Sequence, residues 1–342
     1  MRKVIMTAPK TIVVRNDAPA PRPEDLKGNE ILLNIKHIGI CGSEIHAYHG
    51  LHPSCIYPVV QGHEYSGVVV AVGKDVKGFH PEDHATARPQ LVCGKCNPCR
   101  EGRYNICENL KVQAFHADGA AQDYFVVTED RAVLLPKDMP LEFGAMVEPT
   151  AVGAHATNRV PLAGRNVVVS GAGPIGNIVA QFAQARGAAK VLITDISDLR
   201  LAKARECGIK YTLNVSKTPL AEGVKELFGE EGFQTAFEVA GVESSIQSLM
   251  TTIQKGGDIV IVAVFAHNPV INMEHLGEHE LRLVGTLMYK HEDYLEAVEA
   301  ISSGRIRLQP LVSNRFPLER YDDAYQYIDD NRMSTMKVMI DL

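Results

Sequence analysis

With 342 residues, 45% of them apolar and 22% charged, the chain exceeds the size at which one hydrophobic core keeps growing, so two domains are expected. A net charge of -6 and a pI near 6.1 exclude a general attraction to nucleic acid or anionic lipid, since both need a dominant basic patch. The opening "MRKVIMTAPKTIVV" lacks the apolar run of a secretory signal. The longest uncharged stretch, 166–185, is broken by glycines and a proline and reads as a soluble motif. A cytoplasmic, reducing setting follows, in which disulfides rarely persist.

In chain order, residues 1 to about 140 give short β-rich runs, "EILLNIKHIGI", "YSGVVVAVG", "HATARPQ", "AQDYFVVTED" and "AVLLP", broken by glycine and proline. From about 160, compact apolar strands ("RNVVVSGAG", "AAKVLITD", "TAFEVAG", "GDIVIVAV") alternate with helical stretches. That alternation predicts a doubly wound parallel sheet. The end returns to strand-like "VSNRFPL", a helix in "ERYDDAYQYIDDN" and a last strand in "MKVMIDL". The expected class is α/β, with a β-rich domain over 1–152, a doubly wound parallel-sheet domain over 153–288, and residues 289–342 closing back onto the first.

The stretch "CGKCNPCREGRYNIC" places Cys93, Cys96, Cys99 and Cys107 in fifteen residues. This spacing suits a tetrahedral four-thiolate zinc site within a lobe at 90–110. An iron-sulfur cluster and free thiols are the alternatives. Four protein thiolates leave no position for substrate, so the zinc here would be structural. Upstream, "GICGSEIHAYHGLHPSCIYPVVQGHEYSGVV" offers Cys41 as thiolate and His63 as imidazole, with Glu64 adjacent; singly, each also reads as a packing or polar residue.

"VVVSGAGPIG" is a buried strand that runs into Gly171, Gly173, Pro174, Ile175 and Gly176 and then a helix. Glycines there permit a tight turn, close approach of a pyrophosphate, and a helix lying close on the strand. A second strand ends in Asp195, where a ribose-binding carboxylate belongs. Asp195 would accept both ribose hydroxyls and repel a 2′-phosphate, so NAD is expected over NADP, with Arg200 five residues on as a counter-signal.

Together, "CGS", "GHEYSG", the cysteine lobe, "EP" at 148–149 and "GAGPIG" resemble the zinc-containing medium-chain dehydrogenases, the alcohol, sorbitol and threonine dehydrogenase superfamily, over essentially the whole chain. The resemblance implies a GroES-like catalytic domain joined to a Rossmann domain, two Zn2+ per chain, and NAD. It further implies that Cys41 and His63 hold a catalytic zinc, with Glu64 and Glu148 as acidic ligands. Ser43 and His46 would open and close a proton relay. Zinc would polarise a substrate hydroxyl while hydride passes to NAD.

A glutamate at 148, where alcohol dehydrogenases have cysteine, implies polyols or sugar acids, and several segments look closest to L-galactonate and L-gulonate dehydrogenases. His116 and Tyr289 are candidate substrate contacts. Met288 stands where sorbitol dehydrogenases carry arginine, which keeps diols, inososes and threonine-like substrates in view. His49, His52, Cys55 and Cys207 match no role. A homo-oligomer, dimer or tetramer, is implied. A catalytically retired NAD(H)-binding sensor is the competing class, separable by zinc content and NADH production. A nucleic-acid-binding zinc module fails on charge, because Lys95, Arg100, Arg103 and Lys111 do not outweigh an acidic chain.

Overall fold

The run "EILLNIKHIG" forms the strand Glu30–Gly39, whose Ile31, Leu33, Ile35 and Ile38 are fully buried. In the computed structural model, which describes residues 1–342, this strand organises a seven-stranded sheet. One side pairs antiparallel with Glu64–Val72, from Ile31 opposite Val72 to Gly39 opposite Glu64. Its other side is shared: Tyr124–Thr128 pairs with residues 30–34 and Lys337–Asp341 with residues 37–39. Val312–Pro317 lies parallel on that last strand, while His84–Ala87 and Ala132–Leu135 extend the opposite edge. Tyr65, Phe125, Tyr321 and Tyr325 fill the core around these isoleucines. Truncating a residue as buried as Ile35 to alanine costs about 2–5 kcal/mol.

The second sheet has six parallel strands. In spatial order they are Tyr211–Asn214, Lys190–Asp195, Asn166–Ser170, Thr235–Glu238, Asp258–Ile261 and Arg282–Gly285. Valine-rich strands suit a sheet covered on both faces. Val167 and Val169 pack with Val179, Ala183, Leu201 and Ala204 on one face, and Val168 packs with Val224, Phe228, Ile246 and Leu249 on the other. Strand order reverses between Asn166–Ser170 and Thr235–Glu238, the switch point where open α/β sheets bind ligands. This is the doubly wound sheet that the alternating pattern predicts.

Two compact units result. One comprises Met1–Glu148, Lys290–Ser302 and Val312–Leu342; the other comprises Pro149–Tyr289 and Ser303–Leu311. The limits expected at 152 and 288 shift slightly, to 148 and 289, the first staying within the helix Val147–Thr157. The larger correction is Ser303–Leu311, which interrupts the expected return over 289–342. Its Arg307 amide donates to Gln181 Oε1 (2.6 Å) and its carbonyl accepts from Gln181 Nε2 (3.3 Å). Ile306, Leu308 and Leu311 are buried there. No helix is long and apolar enough to cross a membrane.

Candidate metal centres and cofactor turn

Cys41 caps the helix Gly42–Tyr48 just beyond the strand Glu30–Gly39, and His63 precedes the strand that begins at Glu64. Because Gly39 pairs with Glu64, strand pairing carries these residues together. Ligand atoms of Cys41, His63 and Glu64 lie within 4.8 Å of one another. Thiolate, imidazole and carboxylate are donors that zinc accepts.

A fourth residue, which the sequence reading passed over, shapes this group. Glu44 is fully buried, and its Oε1 accepts from Gly62 N (2.8 Å) and His63 N (3.3 Å) and sits 2.8 Å from His63 Nδ1. A carboxylate on the far nitrogen orients a metal-binding imidazole and leaves Nε2 for the metal. Burial opposes charge on His63, yet Glu44 and Cys41 outweigh it and hold the imidazole well above its usual range. Charges that favour a proton at this point also favour a metal cation.

Lys337 was also passed over. Its side chain is 5% exposed, against 1% for Glu64, and Nζ donates to Glu64 Oε1 (2.7 Å), Glu64 Oε2 (2.6 Å) and Ile40 O (3.1 Å). Burial would strip the proton from Lys337, but Glu64 and then Cys41 raise its pKa, with Glu148 adding to the effect. The ammonium is therefore retained. Glu148 itself is buried on the helix Val147–Thr157, outside the three-donor group. Zn2+ and the Lys337 ammonium would set positive charge against the acidic groups gathered here, Cys41, Glu44, Glu64 and Glu148. Ser43 Oγ donates to Cys41 Sγ (3.2 Å), and His46 lies exposed one turn further along the same helix.

Sulfurs of Cys93, Cys96, Cys99 and Cys107 also lie within 4.8 Å of one another. A tetrahedron of Zn–S bonds has sulfur edges of about 3.8 Å, and Cys96 Sγ lies 3.8 Å from Cys107 Sγ. Backbone N–H groups of Lys95 and Cys96 draw the Cys93 thiol down to about 6. Desolvation, then Cys96 and Cys107, pushes Cys99 up to about 12. Thiols crowded this way compete for one charge until a cation joins them, so the donor set fits zinc. The lobe is tied into its unit where His291 N donates to Tyr104 Oη (2.6 Å).

In the second unit, Gly171 has φ +102°, and a Cβ on Gly176 would fall 1.8 Å from Gly171 O. Only glycine lets this strand turn into the helix Pro174–Ala185 at such close range. At Gly173 an added Cβ would meet nothing within 4 Å, which leaves open space before the helix N-terminus, the place for a pyrophosphate. Pro174 and Ile175 form the first helical positions. Asp195 Oδ2 accepts from Ala172 N (2.8 Å) and Oδ1 from Ser197 N (2.9 Å). The acidic residue is thus locked to the glycine turn with lone pairs to spare for ribose hydroxyls. The Arg200 amide donates to Ser197 Oγ (3.3 Å) at the start of the next helix.

His116, in the first unit, accepts at Nδ1 from Val112 N (3.1 Å). Tyr289 belongs to the second unit, where its side chain is fully buried. Residues 27–137 match the profile of the alcohol dehydrogenase GroES-like domain, and residues 174–303 match that of the zinc-binding dehydrogenases. A 2-dehydro-3-deoxy-L-galactonate 5-dehydrogenase of Pseudoalteromonas atlantica is 36% identical, covering 96% of this chain and 95% of its own. A sorbitol dehydrogenase of Bacillus subtilis is 30% identical over 99% and 97%. Among solved structures, an Escherichia coli alcohol dehydrogenase complexed with NADH superposes with a TM-score of 0.90 at 27% identity, covering 100% and 99% of the two chains.

Proposed function

The chain belongs to the zinc-binding alcohol dehydrogenases with a GroES-like domain, and from that premise we propose that it oxidises a secondary hydroxyl of a polyol or sugar acid to a ketone with NAD as acceptor. Zinc held by this donor set would supply a Lewis acid for the substrate hydroxyl, and NAD held at the glycine turn would supply the hydride acceptor. The O–H proton goes to solvent. Every other part of the reaction falls to residues of this chain.

Cys41 and His63 hold the metal, with Glu44 fixing the imidazole. Glu64, which converges with them, would be the acidic donor with Lys337 balancing its charge, and Glu148 would be the alternative acid. Ser43 takes the departing proton and His46, exposed on the same helix face, passes it to water. Gly171, Gly173 and Gly176 bring backbone to the pyrophosphate, and Asp195 selects NAD by holding the ribose hydroxyls and repelling a 2′-phosphate.

One observation carries this reading: the Cys41, His63 and Glu64 donors converge within 4.8 Å over a buried orienting carboxylate. The acidic ligand set and the sugar-acid and sorbitol dehydrogenase relatives support a polyhydroxylated substrate. The test is a panel of alditols, aldonates and vicinal diols offered with NAD and with NADP to protein of measured zinc content. NADH formation with at least one compound is expected from protein holding two zincs per chain. A zinc-replete protein that reduces neither cofactor with any of them would sink the proposal.

A further inference from the structure

The loop following the helix Gly42–Tyr48 meets the segment 112–116 beside the catalytic metal ligands. Ile56 N donates to Phe115 O (3.0 Å), and Tyr57 Oη, on the same loop, donates to Ala47 O. His52 lies flat on Phe115, with ring centroids 4.3 Å apart and 11° between the planes. The Phe115 ring is in turn 5.4 Å from that of His63. An aromatic run therefore leads outward from the ligand imidazole to His52, and His116 follows Phe115 directly in the chain.

The two histidines share one local arrangement. Ser54 N donates to His52 Nδ1 (3.3 Å), and Val112 N donates to His116 Nδ1 (3.1 Å). An imidazole whose Nδ1 accepts is fixed in the tautomer that carries its hydrogen on Nε2. Both rings are half-buried, and no hydrogen bond within the chain uses either Nε2. Burial, then the neighbouring His116, His46 and His63, holds His52 below its usual pKa, in keeping with a neutral donor. Asp118, the nearest acid along the chain from His116, is already engaged by Lys3 Nζ (2.9 Å) and Val60 N (3.2 Å).

We propose that His52 and His116 are specificity-determining residues that grip a substrate carboxylate through their Nε2–H groups, so that the preferred substrate is a polyhydroxy acid. A pair offering donors and no acceptor suits a carboxylate, which only accepts, better than a hydroxyl, which must also donate. This inference rests on the dehydrogenase reading above.

The test compares kcat/KM for an aldonate and for the alditol of the same configuration, using zinc-replete wild type, His52→Phe and His52→Gln. Phenylalanine keeps the stack on Phe115 and removes the donor, whereas glutamine restores a donor. Wild type is expected to prefer the aldonate. In His52→Phe the aldonate-to-alditol ratio should fall tenfold or more, carried by KM for the aldonate, and His52→Gln should recover part of it. A wild type that prefers the alditol, or a His52→Phe enzyme with an unchanged ratio, overturns the carboxylate grip while leaving the dehydrogenase reading intact. Zinc-replete wild type inactive on both compounds and on the whole polyol panel would instead overturn the dehydrogenase reading, and the grip with it.

Discussion

At the residue scale, the proposed catalytic group of Cys41, His63 and Glu64 rests against two buried charged side chains, Glu44 on His63 and Lys337 on Glu64. Glu44→Ala removes the carboxylate that orients His63, and such a loss lowers metal affinity by about 10–100-fold. Dialysis against a graded chelator should then strip one zinc from the variant at a concentration where wild type keeps two; simultaneous loss of both zincs would refute the assignment. Lys337→Met leaves Glu64 buried and unpaired, which costs about 3–5 kcal/mol. Urea melts of the metal-free protein should show that loss, and Lys337→Met combined with Glu64→Gln should recover most of it. Cys41, His63 and Glu64 entered as candidates through the resemblance that "CGS" and "GHEYSG" carry, since no local spacing marks them as a donor group. Glu44 was not, since an acid in the first turn of a helix ordinarily favours the helix dipole in solvent. Lys337 lies 273 residues from Glu64, and a lysine among the last residues of a chain carries no local sign of burial. Only the pairing of Lys337–Asp341 against residues 37–39 brings it to the site.

At the element scale, the cysteine lobe gathers around four sulfurs and the parallel sheet is braced by a buried carboxylate between two arginines. Cys99→Ser should lower zinc from two to one per chain and depress the melting temperature, while kcat falls less than about tenfold because the closed site touches no substrate. Metal analysis, thermal melts and kinetics on one preparation decide it, and an enzyme dead far below its melting temperature would count against a structural role. In the sheet, Asp258 is fully buried and accepts from Arg165 Nη1 (2.7 Å) and Arg282 Nε (2.5 Å). Burial pushes its carboxyl up, but the two guanidiniums prevail and hold it below the usual range. A depressed folded pKa means that its stabilisation is present above 3.8 and is lost as pH falls through the folded value. Asp258→Asn should therefore cost about 2 kcal/mol at neutral pH, and the gap to wild type should close in urea melts carried out progressively below pH 3.8. The lobe could be read from cysteine spacing alone. This cluster could not, because its three charges are far apart in the chain and meet only when the strand ladder sets Asp258 opposite Arg282, with Arg165 just ahead of the strand Asn166–Ser170.

At the scale of the whole molecule, the order in which the chain visits its two units explains which parts of the fold were legible. The six parallel strands come from one continuous stretch, 166–285, so their alternation with helices shows in the sequence. The first unit is assembled from three separate stretches, and nothing in "MKVMIDL" announces that it borders both Glu30–Gly39 and Val312–Pro317. Ser303–Leu311 is harder still, since its place is fixed by three buried side chains and by backbone hydrogen bonds to Gln181, none of which a local pattern announces. Deleting residues 337–342 exploits this arrangement. The deletion removes the partner of residues 37–39, leaves Val312–Pro317 without its ladder, and takes Lys337 from Glu64, all within the unit that holds the catalytic donors. The second unit loses no strand. The truncated protein should therefore retain NADH binding, read by cofactor fluorescence, and the four-thiolate zinc, while losing the catalytic zinc and all dehydrogenase activity. Retention of two zincs per chain would show that Cys41, His63 and Glu64 are held together without the last strand, contrary to the role that its register gives it.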